Sequence, residues 1–209
     1  MKRVLTVLFM ACAGLMGQRA NMLGDVEGAD KWPHKVNVKT DVSEDKNLLT
    51  VMLTAKDFQF GWFQHNLPQV ENYADYSGIY GRYRSRQFGN AILYLLFPHE
   101  NAEQEYYRGE IGELNESEGE WMEFYIPFAE LKPERNARMA VVKPSLLSTD
   151  NRIEISINNL VDEETVVEFD SLCLLGKDET KAVEERLAKR QIDHLLVKES
   201  NLPSEGGPD

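Results

Sequence analysis

The residues of this sequence best suited to chemistry are three arginines spaced two apart. Arg82, Arg84 and Arg86 follow Tyr80 at every second position. Alternate side chains of a β-strand point to the same side, so this spacing predicts a row of guanidinium groups beside an aromatic ring. A guanidinium binds a carboxylate or sulfate through two parallel hydrogen bonds, and an aromatic ring stacks on the C–H face of a sugar. The row is therefore suited to an acidic polysaccharide.

A plainer role for the arginine row stays open. Arginines on a sheet often neutralise carboxylates on neighbouring strands, and Glu110 and Glu123 are candidates for such pairs. In that case the row contributes to the sheet and leaves no guanidinium group for a ligand.

Aromatic residues form a second candidate group. Trp121 and Tyr125 fall on the face opposite Met122, Phe124 and Ile126. If these last three fill the core, Trp121 and Tyr125 are presented outward and can form a sugar-stacking platform, unless another element covers them. Trp62 and Phe63 form a second aromatic pair, which is either another sugar-stacking platform or part of the core.

The elements that position these residues are predicted to be β-strands. Alternation of apolar and polar residues is clearest over 120–128, 152–158 and 166–174, and Ala91 to Phe97 is apolar on both faces, as in a central buried strand. Arg138 to Leu147 is predicted as a further strand interrupted by Pro144. Many short strands separated by turn signals indicate an all-β fold, an antiparallel β-sandwich or jelly roll over 34–175. A helix without Gly or Pro is predicted over 177–200, followed by a flexible tail over 201–209.

Three stretches resemble strands of jelly-roll carbohydrate-binding modules, the galactose-binding-like family. The first, Tyr76-Ser77-Gly78-Ile79-Tyr80-Gly81-Arg82-Tyr83, is similar to one of their earlier strands. Glu120-Trp121-Met122-Glu123-Phe124-Tyr125-Ile126-Pro127-Phe128 is similar to their "W-x-x-x-x-I-P-F/L" strand, and Val167-Glu168-Phe169-Asp170-Ser171-Leu172-Cys173-Leu174 is similar to their last strand. The resemblance implies a non-catalytic domain that binds carbohydrate. The residues expected to supply the contacts, from their types and spacing, are Tyr80, Arg82, Arg84, Trp121 and Tyr125. It also implies a structural calcium ion, for which Asp170 is the candidate ligand; alternatively Asp170 hydrogen-bonds the backbone of a turn.

Two other functions are compatible with the sequence. Glu110, Glu113 or Glu123 could act as acid or base in a polysaccharide-degrading enzyme, although Gly112 stands where the laminarinase motif Glu-x-Asp-x-x-Glu needs its Asp. Alternatively, the C-terminal helix could assemble a structural or cell-surface interaction protein.

Composition and missing motifs narrow the possible partners. The 209 residues carry 35 acidic and 23 basic side chains, a net charge of −12, which disfavours nucleic acid and anionic membranes. The four histidines are scattered without metal-binding spacing, and no nucleophile elbow, phosphate loop or dinucleotide motif occurs.

The N-terminus has the pattern of an export signal. Lys2 and Arg3 precede an uncharged run from Val4 to Gly17 that ends in small residues, so residues 1–20 are predicted as a signal peptide cleaved between Ala13 and Ala20. The mature chain is then secreted or periplasmic, with no inserted membrane segment. Lipid attachment at Cys12 is the less favoured alternative, and without Cys12 the remaining Cys173 has no disulfide partner.

Overall fold

Strands and one long helix account for most of the structure. The computed structural model describes residues 18–23, 34–44, 48–53, 60–98, 103–159 and 165–200. In chain order the elements are β1 (Arg19–Asn21), β2 (His34–Val36), β3 (Val38–Val42), β4 (Leu48–Leu53), β5 (Phe60–Asn66), β6 (Tyr76–Arg84), β7 (Gly89–Phe97), β8 (Glu105–Glu113), β9 (Met122–Pro127), β10 (Lys132–Pro133), β11 (Arg152–Asn159), β12 (Val166–Gly176) and α1 (Lys177–Ser200).

The strands form two antiparallel sheets. The first sheet has the order β3-β4-β12-β6-β9, with β1 pairing beside β4 along the other half of β12. The second sheet has the order β10-β8-β7-β11-β5-β2. The predicted antiparallel β-sandwich with a C-terminal helix is confirmed, and β7 is an interior strand of the second sheet, as its two apolar faces predicted.

The core lies between the two sheets and follows the alternation of the sequence. Phe124 and Ile126 of β9 point into it, as expected, and Phe63 of β5 meets Phe169 of β12 edge to face at 6.3 Å between ring centroids. Phe63 therefore belongs to the core and not to an exposed platform. Burial of such aromatic side chains supplies most of the favourable free energy of a sandwich.

A bulge in β12 changes which side chains face the core. Ser171 has φ 52°, and the register between β12 and β6 shifts between Asp170 and Cys173. Phe169 precedes the bulge and Leu172 follows it, and both point into the core. The shift turns Cys173 to the outer face of the first sheet, where α1 covers it.

The prediction of a strand over Arg138 to Leu147 is wrong. This segment is irregular apart from a single 3₁₀ turn at Pro144–Leu146. Its apolar residues Val142 and Leu147 are buried in the core cluster between the sheets. The segment is fastened by the backbone N–H groups of Arg138 and Met139, which donate to the hydroxyl of Tyr107 at 3.2 and 3.0 Å.

Candidate functional site

The predicted row of Tyr80, Arg82 and Arg84 lies on the outer face of the first sheet. All three belong to β6, between β12 and β9. Arg82 stands opposite Asp170 of β12, and Arg84 stands opposite Glu168. The row therefore faces a parallel row of carboxylates on the neighbouring strand.

Both arginines are engaged by these carboxylates. The Arg82 guanidinium donates to both oxygens of Asp170, with Nε to Oδ1 at 2.6 Å, and Arg84 Nε donates to Glu168 Oε2 at 2.5 Å. These hydrogen bonds raise the pKa of both arginines above the ordinary value. The arginine row is thus neutralised within the sheet, although the carboxylate partners are not those named from the sequence.

Trp121 lies against the two guanidinium groups. Its ring centroid is 5.4 Å from Cζ of Arg82 and 4.6 Å from Cζ of Arg84, which is cation–π geometry. Arg190 of α1 donates to the Trp121 carbonyl at 3.0 Å. Trp121 remains half-buried, so part of its ring is open to solvent.

The expectation that Tyr80 points outward to solvent is wrong. Tyr80 is 3% exposed because α1 covers it, with Val183 packed in the same cluster as Cys173 and Leu175. Burial raises the pKa of the Tyr80 phenol. Tyr80 therefore helps to dock the helix and is closed to a ligand.

Tyr125 is partly covered by the same helix. It packs against the cluster beneath α1, and it also lines a cleft of about 210 Å³ with Arg108 and Lys132 at the edge of the sandwich. Burial raises its pKa, as for Tyr80. Tyr125 and Trp121 are thus half-buried neighbours of α1 and do not form an open platform.

Asp170 is an ion-pair partner in this structure. Both of its carboxylate oxygens accept hydrogen bonds from Arg82. Within the described ranges, no group of three or more His, Cys, Asp or Glu side chains is arranged to hold a metal ion. Calcium requires six to eight oxygen ligands, and Asp170 is not accompanied by such a set there.

The outer face of the second sheet carries a different set of side chains, called here the second-sheet face. The pairing of β5, β11, β7, β8 and β10 aligns one residue from each strand in a cross-strand row of Gln64, Glu154, Tyr94, Arg108 and Lys132. A neighbouring row consists of Trp62, Ser156, Ile92 and Glu110, and Tyr106 stands opposite Leu96 on the other side. Three aromatic rings thus share one face with a carboxylate, an amide and a guanidinium.

The floor of this face is a buried polar network. Glu154 is 8% exposed, and its carboxylate accepts from Gln64 Nε2 at 2.7 Å and from Ser156 Oγ at 3.2 Å. Burial raises the pKa of Glu154, while these two hydrogen bonds act in the opposite direction. A buried carboxylate on the outside of a sheet is unusual because desolvation of a charge is costly, and sites that bind ligands are where such groups occur.

Two tyrosines and an arginine stand beside the buried carboxylate. Tyr94 and Tyr106 are half-exposed, and their rings meet edge to face at 6.0 Å between centroids. Nearby, the Arg108 guanidinium is 3.4 Å from Glu110 and 3.7 Å from Glu134. Both separations exceed a good hydrogen bond, and Arg108 Nε is buried without an acceptor among the described residues.

A cleft opens at one end of the second-sheet face. It has a volume of about 330 Å³. Its lining includes Asn90 and Ile92 of β7, Arg108 and Glu110 of β8, and residues at the C-terminal end of β8. Gly112 is one of the lining residues, and its position requires glycine because its φ of 148° disfavours other residues and an added Cβ would lie 2.6 Å from the Tyr83 hydroxyl. The glycine that breaks the glycosidase motif therefore has a structural role.

Of the second-sheet face, the sequence analysis named Trp62 as a candidate platform residue but did not identify its other members. The side of β8 that carries Tyr106, Arg108 and Glu110 is evident from alternation, but its neighbours depend on strand order and register. Glu154 and Tyr94 lie on strands that are far apart in sequence, and only the pairing of β11 with β7 brings them together.

Solved structures of carbohydrate-binding modules are similar in fold to this protein. The family 11 carbohydrate-binding module from Clostridium thermocellum in complex with a β-1,3-1,4-mixed-linked tetrasaccharide aligns with a TM-score of 0.50 and 18% identity, over 75% of this chain and 95% of that one. The family 11 module of cellulosomal cellulase Lic26A-Cel5E of Clostridium thermocellum aligns with a TM-score of 0.49 and 13% identity, over 77% of this chain and 94% of that one.

An exo-β-agarase aligns with a TM-score of 0.47 and 15% identity, over 76% of this chain but only 25% of the agarase. No protein-family model matches the sequence, and no curated protein matches it significantly. The resemblance in fold to β-sandwich carbohydrate-binding modules is confirmed by the tetrasaccharide-bound module, and at this identity the likeness concerns the fold.

Proposed function

We propose that this protein is an exported, non-catalytic module that binds a carbohydrate chain on its second-sheet face. The observation that carries the proposal is the grouping of half-exposed Trp62, Tyr94 and Tyr106 around the buried carboxylate of Glu154. Aromatic rings bind the C–H faces of sugars, and a few polar groups then fix their orientation.

Each polar group on this face has a distinct role in the proposed binding. The Glu154 carboxylate has about four acceptor positions, of which Gln64 and Ser156 occupy two, and the others accept hydrogen bonds from sugar hydroxyls. Arg108 donates to hydroxyl or ring oxygens, because its long ion pairs leave its N–H groups without strong acceptors. The sheet holds these groups in place before binding, which lowers the entropy cost of association.

The charge of the second-sheet face favours a neutral sugar chain. Arg108 is flanked by Glu110 and Glu134, and Glu154 lies two strands away in the same row, with Tyr94 between them. The cations Lys132 and Arg152 share this face with the three carboxylates, so the face has no excess positive charge that would select a uronate or sulfate. The predicted preference for an anionic polysaccharide depended on Arg82 and Arg84, which are already paired.

A second candidate site, on the first sheet, corresponds to the prediction that the protein binds an anionic polysaccharide. Trp121 keeps part of its ring open between Arg82 and Arg84, so a sulfated or uronic chain could bind there by exchanging for Asp170 and Glu168. A ligand at this site would have to displace Asp170 from Arg82 and Glu168 from Arg84. The second-sheet face is therefore the preferred binding site.

Export is part of the same proposal and is supported by the basic start and apolar run of residues 1–17, which lie outside the described residues. In the part of the chain that the structure describes, no helix is long and apolar enough to span a membrane. Carbohydrate chains outside the cell are then the accessible ligands.

Glycan binding by matched variants tests the site. Neutral and anionic polysaccharides are screened by array and the best ligand is titrated by calorimetry against Tyr94→Ala, Tyr106→Ala and, as the matched control on the other sheet, Trp121→Ala. Loss of a stacked ring should weaken binding by about tenfold or more, since burying an aromatic side chain contributes about 1.5–3 kcal/mol.

The two candidate sites give opposite results. Binding that is lost in Tyr94→Ala and insensitive to salt supports the second-sheet face. Binding that is lost only in Trp121→Ala and weakens with salt assigns the function to the first sheet. Hydrolysis of any bound polysaccharide would contradict the non-catalytic assignment.

A further inference from the structure

The segment Gln18–Leu23 is an integral part of the sandwich. Its strand β1 pairs with the C-terminal half of β12, with Arg19, Ala20 and Asn21 opposite Leu175, Leu174 and Cys173. Met22 and Leu23, which follow, are both 0% exposed and belong to the core between the sheets. On this side of β12, β4 pairs with the N-terminal half of the strand, and β1 pairs with the C-terminal half, which would otherwise have no neighbouring strand.

Polar contacts join this segment to the helix as well as to the sheet. Arg19 Nη2 donates to Glu179 Oε2 of α1 at 2.6 Å, its Nε lies at 3.0 and 2.9 Å from the two Glu179 oxygens, and its guanidinium lies 5.0 Å from the Tyr80 ring centroid. Gln18 accepts from the backbone N–H of Gly176 at 2.7 Å and donates through Nε2 to the Tyr76 hydroxyl at 3.1 Å. Removing residues 18–20 would break all of these contacts.

We infer that processing of the exported chain cuts on the N-terminal side of Gln18, with the Ala13–Gly14 peptide bond as the expected site. This inference rests on the export part of the proposed function. A cut after Ala20 falls in the range allowed by sequence, but it removes Arg19 and Ala20 from β1. Ala11-Cys12-Ala13 has the small residues at alternate positions that a signal peptidase requires, and it lies upstream of the folded segment.

The chemistry is an ordinary peptide hydrolysis. Water attacks the Ala13 carbonyl, the C–N bond to Gly14 breaks, and the products are a carboxylate on Ala13 and an amine on Gly14. Four residues, 14–17, then separate the new N-terminus from the first residue of the folded segment.

The N-terminus of the exported protein tests this inference directly. The full chain is expressed in a bacterium, and the exported product is analysed by intact mass and N-terminal sequencing. A product that begins at Gly14 is expected, whereas a start at a lipid-bearing Cys12 or anywhere from residue 15 to 18 overturns the assignment of the Ala13–Gly14 bond. A product that begins at Arg19 or later, or an exported chain that retains Met1, overturns the inference.

A second measurement tests the structural premise in the same exported protein. Leu23→Ala should lower Tm by about 5 °C or more, because it leaves a cavity in the core. Phe88→Ala, at a side chain that is 59% exposed, is the control and should change Tm by about 1 °C at most. An unchanged Tm for Leu23→Ala would show that the segment is not part of the core. Glycan binding is measured separately, so a correctly processed chain that binds no glycan contradicts only the proposed function.

Discussion

At the scale of single residues, the most informative feature of the second-sheet face is the buried carboxylate of Glu154 and its two hydrogen-bond donors. A carboxylate at this position loses hydration, and the sequence compensates with two donors, Gln64 on β5 and Ser156 on the same strand. The alternation of β11 predicted that Glu154 and Ser156 lie on the same outward face. It could not predict that they are buried, because that depends on the aromatic side chains of three neighbouring strands.

The raised pKa of Glu154 makes stability depend on pH. The folded chain holds this proton more tightly than the unfolded chain, so the free energy of unfolding decreases as pH rises through the folded pKa. Relative to Glu154→Gln, the wild type should therefore gain stability as pH falls from neutral towards the ordinary Glu pKa of 4.5, by at most about 1.4 kcal/mol per pH unit. Urea denaturation at three pH values measures this, with Glu110→Gln on the exposed side of β8 as control. A parallel pH dependence for wild type and Glu154→Gln would contradict the raised pKa.

The ion pair between Arg82 and Asp170 should make a modest contribution to stability. Its side chains are 37% and 15% exposed, so solvent screens the attraction, and a coupling of about 1 kcal/mol is expected from a double-mutant cycle with alanine. The coupling should decrease in high salt. A coupling near zero would mean that Arg82 is available for a ligand, as the sequence first indicated.

At the scale of elements, α1 shows where prediction from sequence ends. Its bounds follow from the absence of Gly and Pro after Gly176, and they agree with the structure. Its docking onto Tyr80 could not be predicted, because the described apolar side chains of the helix that join this cluster are just Val183 and Leu187, too few to form a clear apolar stripe. The error over Tyr80 arises because alternation identifies a face but not what covers it. The error over 138–147 arises because an irregular segment can also bury apolar residues such as Val142 and Leu147.

Reactivity of Cys173 reports whether α1 is docked. Burial beneath the helix raises the pKa of this thiol to about 12, so it should react slowly with a thiol reagent at pH 8. Val183→Asp places a charge in the buried contact and should increase the reaction rate by about 100-fold, measured in a chain that also carries Cys12→Ser. Ala182→Asp, on the exposed side of α1, is the matched control and should react as slowly as the parent. Fast reaction of the parent chain would contradict the docked position of the helix.

At the scale of the whole molecule, the two outer faces of the sandwich differ in what covers them. The first-sheet face carries β1 and α1 along its edge and surface, together with the paired arginines. The second-sheet face carries half-exposed aromatic side chains above a buried polar network, arranged in cross-strand rows. A bulky label should therefore affect carbohydrate binding on one side only.

Two cysteine variants test this difference between the faces. Both carry Cys12→Ser and Cys173→Ser, so that the new cysteine is the only thiol, and each receives a large polyethylene glycol maleimide. At Glu110→Cys, where the side chain of the native residue is 65% exposed beside Arg108, the polymer should abolish glycan binding. At Lys181→Cys, where the native side chain is 88% exposed on α1, binding should stay within about twofold of the unlabelled variant. Equal loss at both positions would contradict a site confined to the second sheet.

Strand β1 and the first turns of α1 lie on the same layer of the sandwich. If the second-sheet face binds a carbohydrate chain as proposed, a partner joined through either element is held on the opposite layer from Tyr94 and Tyr106. The polymer and the partner would then occupy different sides of the molecule, so that neither obstructs the other.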